Sequence, residues 1–240
     1  MNIFFAIAFY FAAAVMTLGL GHKVFQYWST PAPFRIPITP APSTFPGVVL
    51  RMMAEVFLFK SLFKANKWIW ILGWVFHASL VLVLLQHIVY FQQQPAIWIY
   101  QLQPYSQLAA YPLIICLSGL LLRRFLVDRI RYISSPSDFI MLFFLIAIAL
   151  SGLLMMLFWQ PNVFAVQQYF TGLLRLTLNP LPNHLLLYLH LLLVVFLLLI
   201  FPFSKLLHAP GIFFSPTLNQ ADNARKKPHP SPKTGNDNNG

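Results

Sequence analysis

Four of the seven histidines in this chain lie where an imidazole is least expected. His77 and His87 stand ten residues apart in one long apolar block, and His190 and His208 stand eighteen apart in and just after another. An ionisable side chain at membrane depth is costly, and as a rule it is functional. Two pairs on two helices would build two bis-imidazole sites, for which the candidate occupants are haem b and a divalent metal. No Asp, Glu or Cys accompanies the histidines on these blocks. Imidazole pairs with nothing harder beside them suit haem iron better than a transport site, and the Leu, Val and Phe around each would line an apolar pocket. Histidines that merely hydrogen-bond helix to helix are the plainer reading. Of the other three, His229 lies in a polar tail and His22 sits beside Lys23 at a helix end. His184 opens the last apolar block, after Asn179-Pro180-Leu181-Pro182-Asn183, either as an interfacial residue or as a proton acceptor for a reaction at that end.

The elements that position these residues follow from composition. Apolar residues make up 58% of the 240 residues and charged ones 9%, against about 45–50% and about 25% in a soluble protein. This is an integral membrane protein. A hydrocarbon core about 30 Å thick needs about 20 apolar residues in helical form. Five segments qualify: Ile3–Leu20, Trp68–Phe91, Tyr105–Leu122, Phe139–Trp159 and Leu185–Phe203. None alternates apolar and polar residues as a barrel strand would. The fold class is therefore all-α, a five-helix membrane bundle. The lone cysteine, Cys116, excludes a disulfide framework, a Cys-x-x-Cys-His haem attachment and iron–sulfur ligation by this chain alone.

The charge of +11 reads as topology rather than as nucleic-acid binding. The first and third loops and the C-terminal segment hold 15 of the 16 Lys and Arg residues, and the fourth loop holds only Arg175. The N-terminus is expected outside and the C-terminus in the cytoplasm. With no basic residue ahead of it, the first span does not read as a cleaved signal peptide. The second and fifth spans then run antiparallel, so His77 should pair with His208 near the inner face and His87 with His190 farther out. Ten helical residues from His77 to His87 rise about 15 Å, whereas eighteen from His190 to His208 would rise about 27 Å. Pro202 is expected to kink the helix between the latter pair.

Four further features complete the reading. Pro31 to Pro46 carries six prolines and should run extended, as a stiff linker or a docking strip for a cytoplasmic partner. Val48–Lys64 reads as an amphipathic helix in the headgroup layer, with Val49, Met52, Met53, Val56 and Phe63 on one face and Arg51, Glu55 and Lys64 on another. Ser135, Pro136 and Asp138 form a helix start, with Arg131 or Arg129 as the alternative partner for Asp138. Residues 1–214 form the membrane domain, and residues 215–240 form a polar cytoplasmic tail expected to be largely disordered.

The histidine spacings resemble those of the haem ligands in the respiratory nitrate reductase gamma-subunit family. So do Leu120-Leu121-Leu122-Arg123-Arg124, Asp128-Arg129-Ile130-Arg131, Asp138 and Phe201-Pro202-Phe203-Ser204-Lys205-Leu206-Leu207-His208. The resemblance implies a five-helix dihaem b cytochrome of the bacterial inner membrane. It would be the electron-transfer subunit of a quinol-dependent oxidoreductase, with no catalytic residue of its own. It would oxidise quinol and pass electrons to a cytoplasmic iron–sulfur partner within a larger membrane complex. The sequence after the last histidine, Phe213-Phe214-Ser215-Pro216-Thr217-Leu218-Asn219-Gln220 with Asp222-Asn223-Ala224-Arg225, is similar instead to the DsrM-type cytochromes of sulfite-reduction-associated complexes. Their partner is related to heterodisulfide reductase, and this branch is preferred to a nitrate reductase gamma subunit. Gln86, Tyr105, Gln107 and His184 are the candidate quinone contacts. A haem or metal transporter and a passive anchor are the readings from other classes.

Overall fold

The computed structural model describes residues 1–31, 37 and 40–223. Part of the proline stretch, His229, and the basic residues Arg35, Arg225, Lys226, Lys227 and Lys233 lie outside them. All regular structure among the described residues is helical. In chain order the helices are α1 (Asn2–Ser29), α2 (Phe45–Leu58), α3 (Lys60–Ala65), α4 (Lys67–His87), α5 (Ile97–Leu126), α6 (Asp128–Ile133), α7 (Pro136–Phe158), α8 (Val163–Leu174), α9 (Leu185–Ile200), α10 (His208–Gly211) and α11 (Pro216–Asn219). Five are long and apolar enough to cross a membrane: α1, α4 with the turn that follows it, α5, α7, and α9 with its terminal turn. The expected all-α membrane bundle is what the chain forms.

The chain divides into two compact units, and the first comprises residues 1–21 and 61–207. In it α4 packs on α5, α5 on α7, and α7 on α9. The bundle helix α1 lies along α9: the Phe5 and Tyr188 rings are 5.6 Å apart, and Gly19 meets Pro202 so closely that an added Cβ would fall 2.7 Å from the proline Cβ. The third span, 18 residues by the sequence, is the longest of the helices among the described residues, at 30 residues. Pro104 and Pro112 lie inside it without ending it, a tolerance that membrane helices show where neighbours and local adjustments satisfy the freed carbonyls. Ile99, ahead of Pro104, is fully buried, which ties this extra first turn to the bundle.

The fourth loop holds a helix that periodicity in the spans does not reveal. The short helix α8 is capped by Asn162, whose Oδ1 accepts from Ala165 N–H at 3.1 Å, and it buries Val166, Tyr169, Phe170 and Leu173 against Phe5, Ala6, Leu181, Leu187 and Leu191. Two long-range bonds fix it: Tyr169 O–H donates to Asn2 C=O at 3.0 Å, and Tyr10 O–H to Leu173 C=O at 2.7 Å. Gln167 donates to the carbonyls of Val89 and Gln92, so α8 also holds the turn that follows His87.

The fifth span ends where Pro202 withdraws its N–H. The α-helix stops at Ile200, Phe201–Phe203 and Lys205–Leu207 are tighter 3-10 turns, and His208 begins α10. His208 is therefore outside the span rather than beyond a kink within it. The α-helical path from His190 thus ends after ten residues, at Ile200, and the unbroken helix whose rise to His208 would be about 27 Å does not form.

The second unit comprises residues 22–60 and 208–240. Thr44 caps α2, accepting from Gly47 N–H at 3.3 Å. The expected single helix over Val48–Lys64 is two, because Phe59 takes a left-handed φ of 48° and turns its N–H back to the carbonyls of Ala54 and Glu55. The exposed positions Pro46, Val49, Leu50, Met53 and Phe57 are all apolar, whereas Arg51 and Glu55 are half-buried. The polar face of α2 is thus the one turned inward. The chain after His208 packs here too: α11 lies on α2, Asp222 N–H donates to Pro42 C=O at 2.9 Å, and the Phe214 ring lies 5.9 Å from that of Tyr27.

Candidate functional site

In α4, two histidines are set in the same way by their own helix. His77 Nδ1 lies 2.7 Å from Gly73 C=O and His87 Nδ1 2.7 Å from Val83 C=O. A carbonyl can only accept, so each ring carries its proton on Nδ1 and keeps a lone pair on Nε2. That is the tautomer of a metal-ligating imidazole, whose second nitrogen is oriented by an outer partner.

His190, buried in α9, reaches the same state through a different helix. Its Nδ1 lies 2.9 Å from Ser151 Oγ on α7, while Ser151 Oγ donates to Ile148 C=O at 2.9 Å. A hydroxyl has one proton, so with Ile148 taking it the ring N–H is the donor to Ser151. Gly152 lies beside the ring, the position of its missing Cβ 3.5 Å from His190 Cε1. The plainer reading, helix-to-helix hydrogen bonding, is therefore met at His190, but it occupies Nδ1 and leaves Nε2 available.

The structure brings His87 and His190 together: their ring centres are 6.3 Å apart and their planes 22° from parallel. No hydrogen bond joins the two rings. Two metal–nitrogen bonds of about 2.0–2.1 Å, with the radius of each ring added, would separate the centres by roughly 6 Å. Two neutral imidazoles at this spacing, each held by a second partner, would be able to hold one haem iron between them. Tyr90 edges onto His87, ring centres 5.8 Å apart. Among the described residues no three His, Cys, Asp or Glu side chains cluster in a way that would hold a bare metal ion. His77 is half-buried in α4 of the first unit, and His208 opens α10 in the second.

The other sequence candidates lie at the end of the first unit that is poor in charge. Gln86 Oε1 and His184 Nε2 are both enclosed without a hydrogen-bond partner. His184 is the N-cap of α9, its Nδ1 accepting from Leu187 N–H at 3.2 Å. Its proton is therefore on Nε2, which makes it a hydrogen-bond donor at that nitrogen as it stands. Tyr105 is exposed and lines a groove of about 590 Å³ with Trp98, Gln101, Leu102 and Pro104. Gln107 is half-buried on the same helix.

At the opposite, basic end the family-like motifs converge on one carboxylate. Asp138 is buried and accepts from Ser135 N–H and Ser135 O–H, each at 3.0 Å. Lys205 Nζ lies 2.7 Å away and the Arg124 guanidinium 3.7 Å. The helix-start role holds, but the basic partners are Arg124 and Lys205 rather than Arg129 or Arg131, because the turn of α6 pairs Arg131 with Asp128 at 2.7 Å. Sequence reasoning passed over Ser151, although it is the only hydrogen-bonding side chain between Phe139 and Phe158.

A family model described as nitrate reductase gamma subunit matches residues 43–219. The chain is also 30% identical to a protein of Archaeoglobus fulgidus named Hdr-like menaquinol oxidoreductase cytochrome b-like subunit, over 96% of this chain and 83% of that one. Its counterpart of the same name in Archaeoglobus profundus is 27% identical, over 97% and 82%.

Proposed function

Since the chain belongs to the nitrate reductase gamma subunit family, we propose that it is the dihaem b cytochrome of a membrane complex that oxidises menaquinol. Within that reading, His87 and His190 hold the outer haem and His77 and His208 the inner one. The observation that carries it is the pair of Nε2-ready imidazoles with ring centres 6.3 Å apart. When bound, the two haems supply one-electron steps across the membrane.

The chain's own residues do the rest. The α8 helix covers the end at which His87 lies and keeps its following turn in place through Gln167. Gln86 Oε1 accepts a quinol hydroxyl, and His184 Nε2–H donates to the oxygen that becomes a carbonyl. The two protons of quinol leave on the outer side, and its two electrons pass inward to a cytoplasmic iron–sulfur partner related to heterodisulfide reductase. The names of the Archaeoglobus relatives and the Phe213–Arg225 segment support this branch over nitrate reductase. These relatives are archaeal, so a cytoplasmic membrane, not a bacterial one in particular, is the compartment assigned.

A dithionite-reduced minus oxidised spectrum of the purified chain should show b-type haem, two per chain. In His87→Ala one of the two should be lost, together with reduction by menaquinol. Absence of haem would end the reading, and retention of both haems in that variant would end the pairing.

A further inference from the structure

Three of the four histidines of the first unit, His77, His87 and His190, are not held alike. His77 and His87 give their Nδ1 protons to carbonyls four residues back in their own helix, at 2.7 Å in both cases. His190 instead meets a side chain on α7: its Nδ1–H donates to Ser151 Oγ at 2.9 Å, and the Ile148 carbonyl to which Ser151 donates is within reach of the same ring. Ser151 is itself 4% exposed, so no solvent competes for the contact. The chain from ring N–H to hydroxyl to carbonyl polarises along its length, and it crosses from one membrane helix to the next.

Given the haem assignment above, on which this step rests, we propose that Ser151 is a positioning residue for the outer haem. It orients the His190 ring and sets how much electron density the ring gives to iron. An acceptor at Nδ1–H pulls the ring toward imidazolate character and raises ligand basicity. A more basic ligand favours the ferric state and lowers the potential. The tuning would be confined to one haem and one of its two histidines, because Ser151 touches neither His77 nor His87, whose Nδ1 protons go to backbone carbonyls of their own helix.

The test is a potentiometric titration of purified wild type, Ser151→Ala and Ser151→Thr, followed optically and by electron paramagnetic resonance. In Ser151→Ala the ferric-to-ferrous ratio of one haem at fixed potential should fall by about tenfold, a rise of about 59 mV for a one-electron couple. The other haem should not move, and the resonance of the shifted haem should change with the ring's orientation. Ser151→Thr keeps the hydroxyl and should restore the wild-type value. Loss of one haem in Ser151→Ala with its return in Ser151→Thr supports the same role. Both haems loaded and unshifted in Ser151→Ala would overturn it, as would loss of haem in both variants, since packing alone would then be at stake. A wild type without haem would instead overturn the functional reading beneath it.

Discussion

Replacing Asp138 separates two ways in which a carboxylate can fasten a membrane bundle. The side chain is 5% exposed, whereas its partner Lys205 is 69% exposed and Arg124 30%. Solvent therefore screens the ion pairs, which together contribute about 0.2–1 kcal/mol. The bonds from Ser135 are local and enclosed, and leaving the amide at this helix start unpaired costs about 1–2 kcal/mol more. Asp138→Asn keeps an acceptor for Ser135 N–H and loses the charge, so it should cost at most about 1 kcal/mol. Asp138→Ala loses both and should cost about 1–3 kcal/mol. At about 2–4 °C per kcal/mol for a chain of this size, thermal unfolding followed by circular dichroism should fall by at most about 4 °C in the first variant and by about 2–8 °C more in the second. Added salt should shrink the Asn effect and leave the extra loss in Ala. Equal losses in the two variants would refute the local accounting. No loss in Asp138→Ala would refute the view that this carboxylate ties the start of α7 to the chain that leads to His208.

Two further outcomes follow from close packing at either end of α1. Gly19→Ala places a methyl 2.7 Å from Pro202 Cβ and 2.9 Å from Cγ, and a proline ring has nowhere to rotate, so the melting temperature should drop by an amount equal to about 1–3 kcal/mol; Gly21→Ala, with nothing within 4 Å, should be neutral. At the other end, burial first and the nearby Tyr10 second push the Tyr169 hydroxyl up to about 12, above the ordinary value of about 10. The folded state therefore holds this proton longer than the unfolded chain does. Its contribution is complete below pH about 10 and is lost as pH rises towards 12, and absorbance near 295 nm should show one tyrosine ionising last, a feature that Tyr169→Phe removes.

The five spans were legible because length and apolarity alone decide them, and the histidine pairs because so little else in those spans is polar. What escaped the sequence depends on contacts between distant segments. The start of α5 is read as loop because Pro104 and two glutamines interrupt it, yet Ile99 is buried by its neighbours. The α8 helix is too short for its pattern to stand out among loops, and its reason for existing is the surface of α1 and α9. The charged face of α2 is called outward by any rule of amphipathicity; the C-terminal segment that covers this helix is more than 150 residues away in sequence. Asp138 was matched to the nearest arginines, while its strongest partner is Lys205, 67 positions on. A serine in an apolar helix has its own backbone to bond with, so nothing in the sequence around Ser151 announces an imidazole beside it.

The packing order α4, α5, α7, α9 has a consequence for how the molecule is made. Each helix closes on the one synthesised just before it, but the two that carry His87 and His190 stand at the ends of that series, and their rings meet across a seam. The seam does not exist until the last span has left the ribosome. On the proposed reading, the haem that the two imidazoles would hold is therefore taken up only after the last span has emerged. Because it would favour the closed arrangement, its supply would raise the share of newly made chain that is folded.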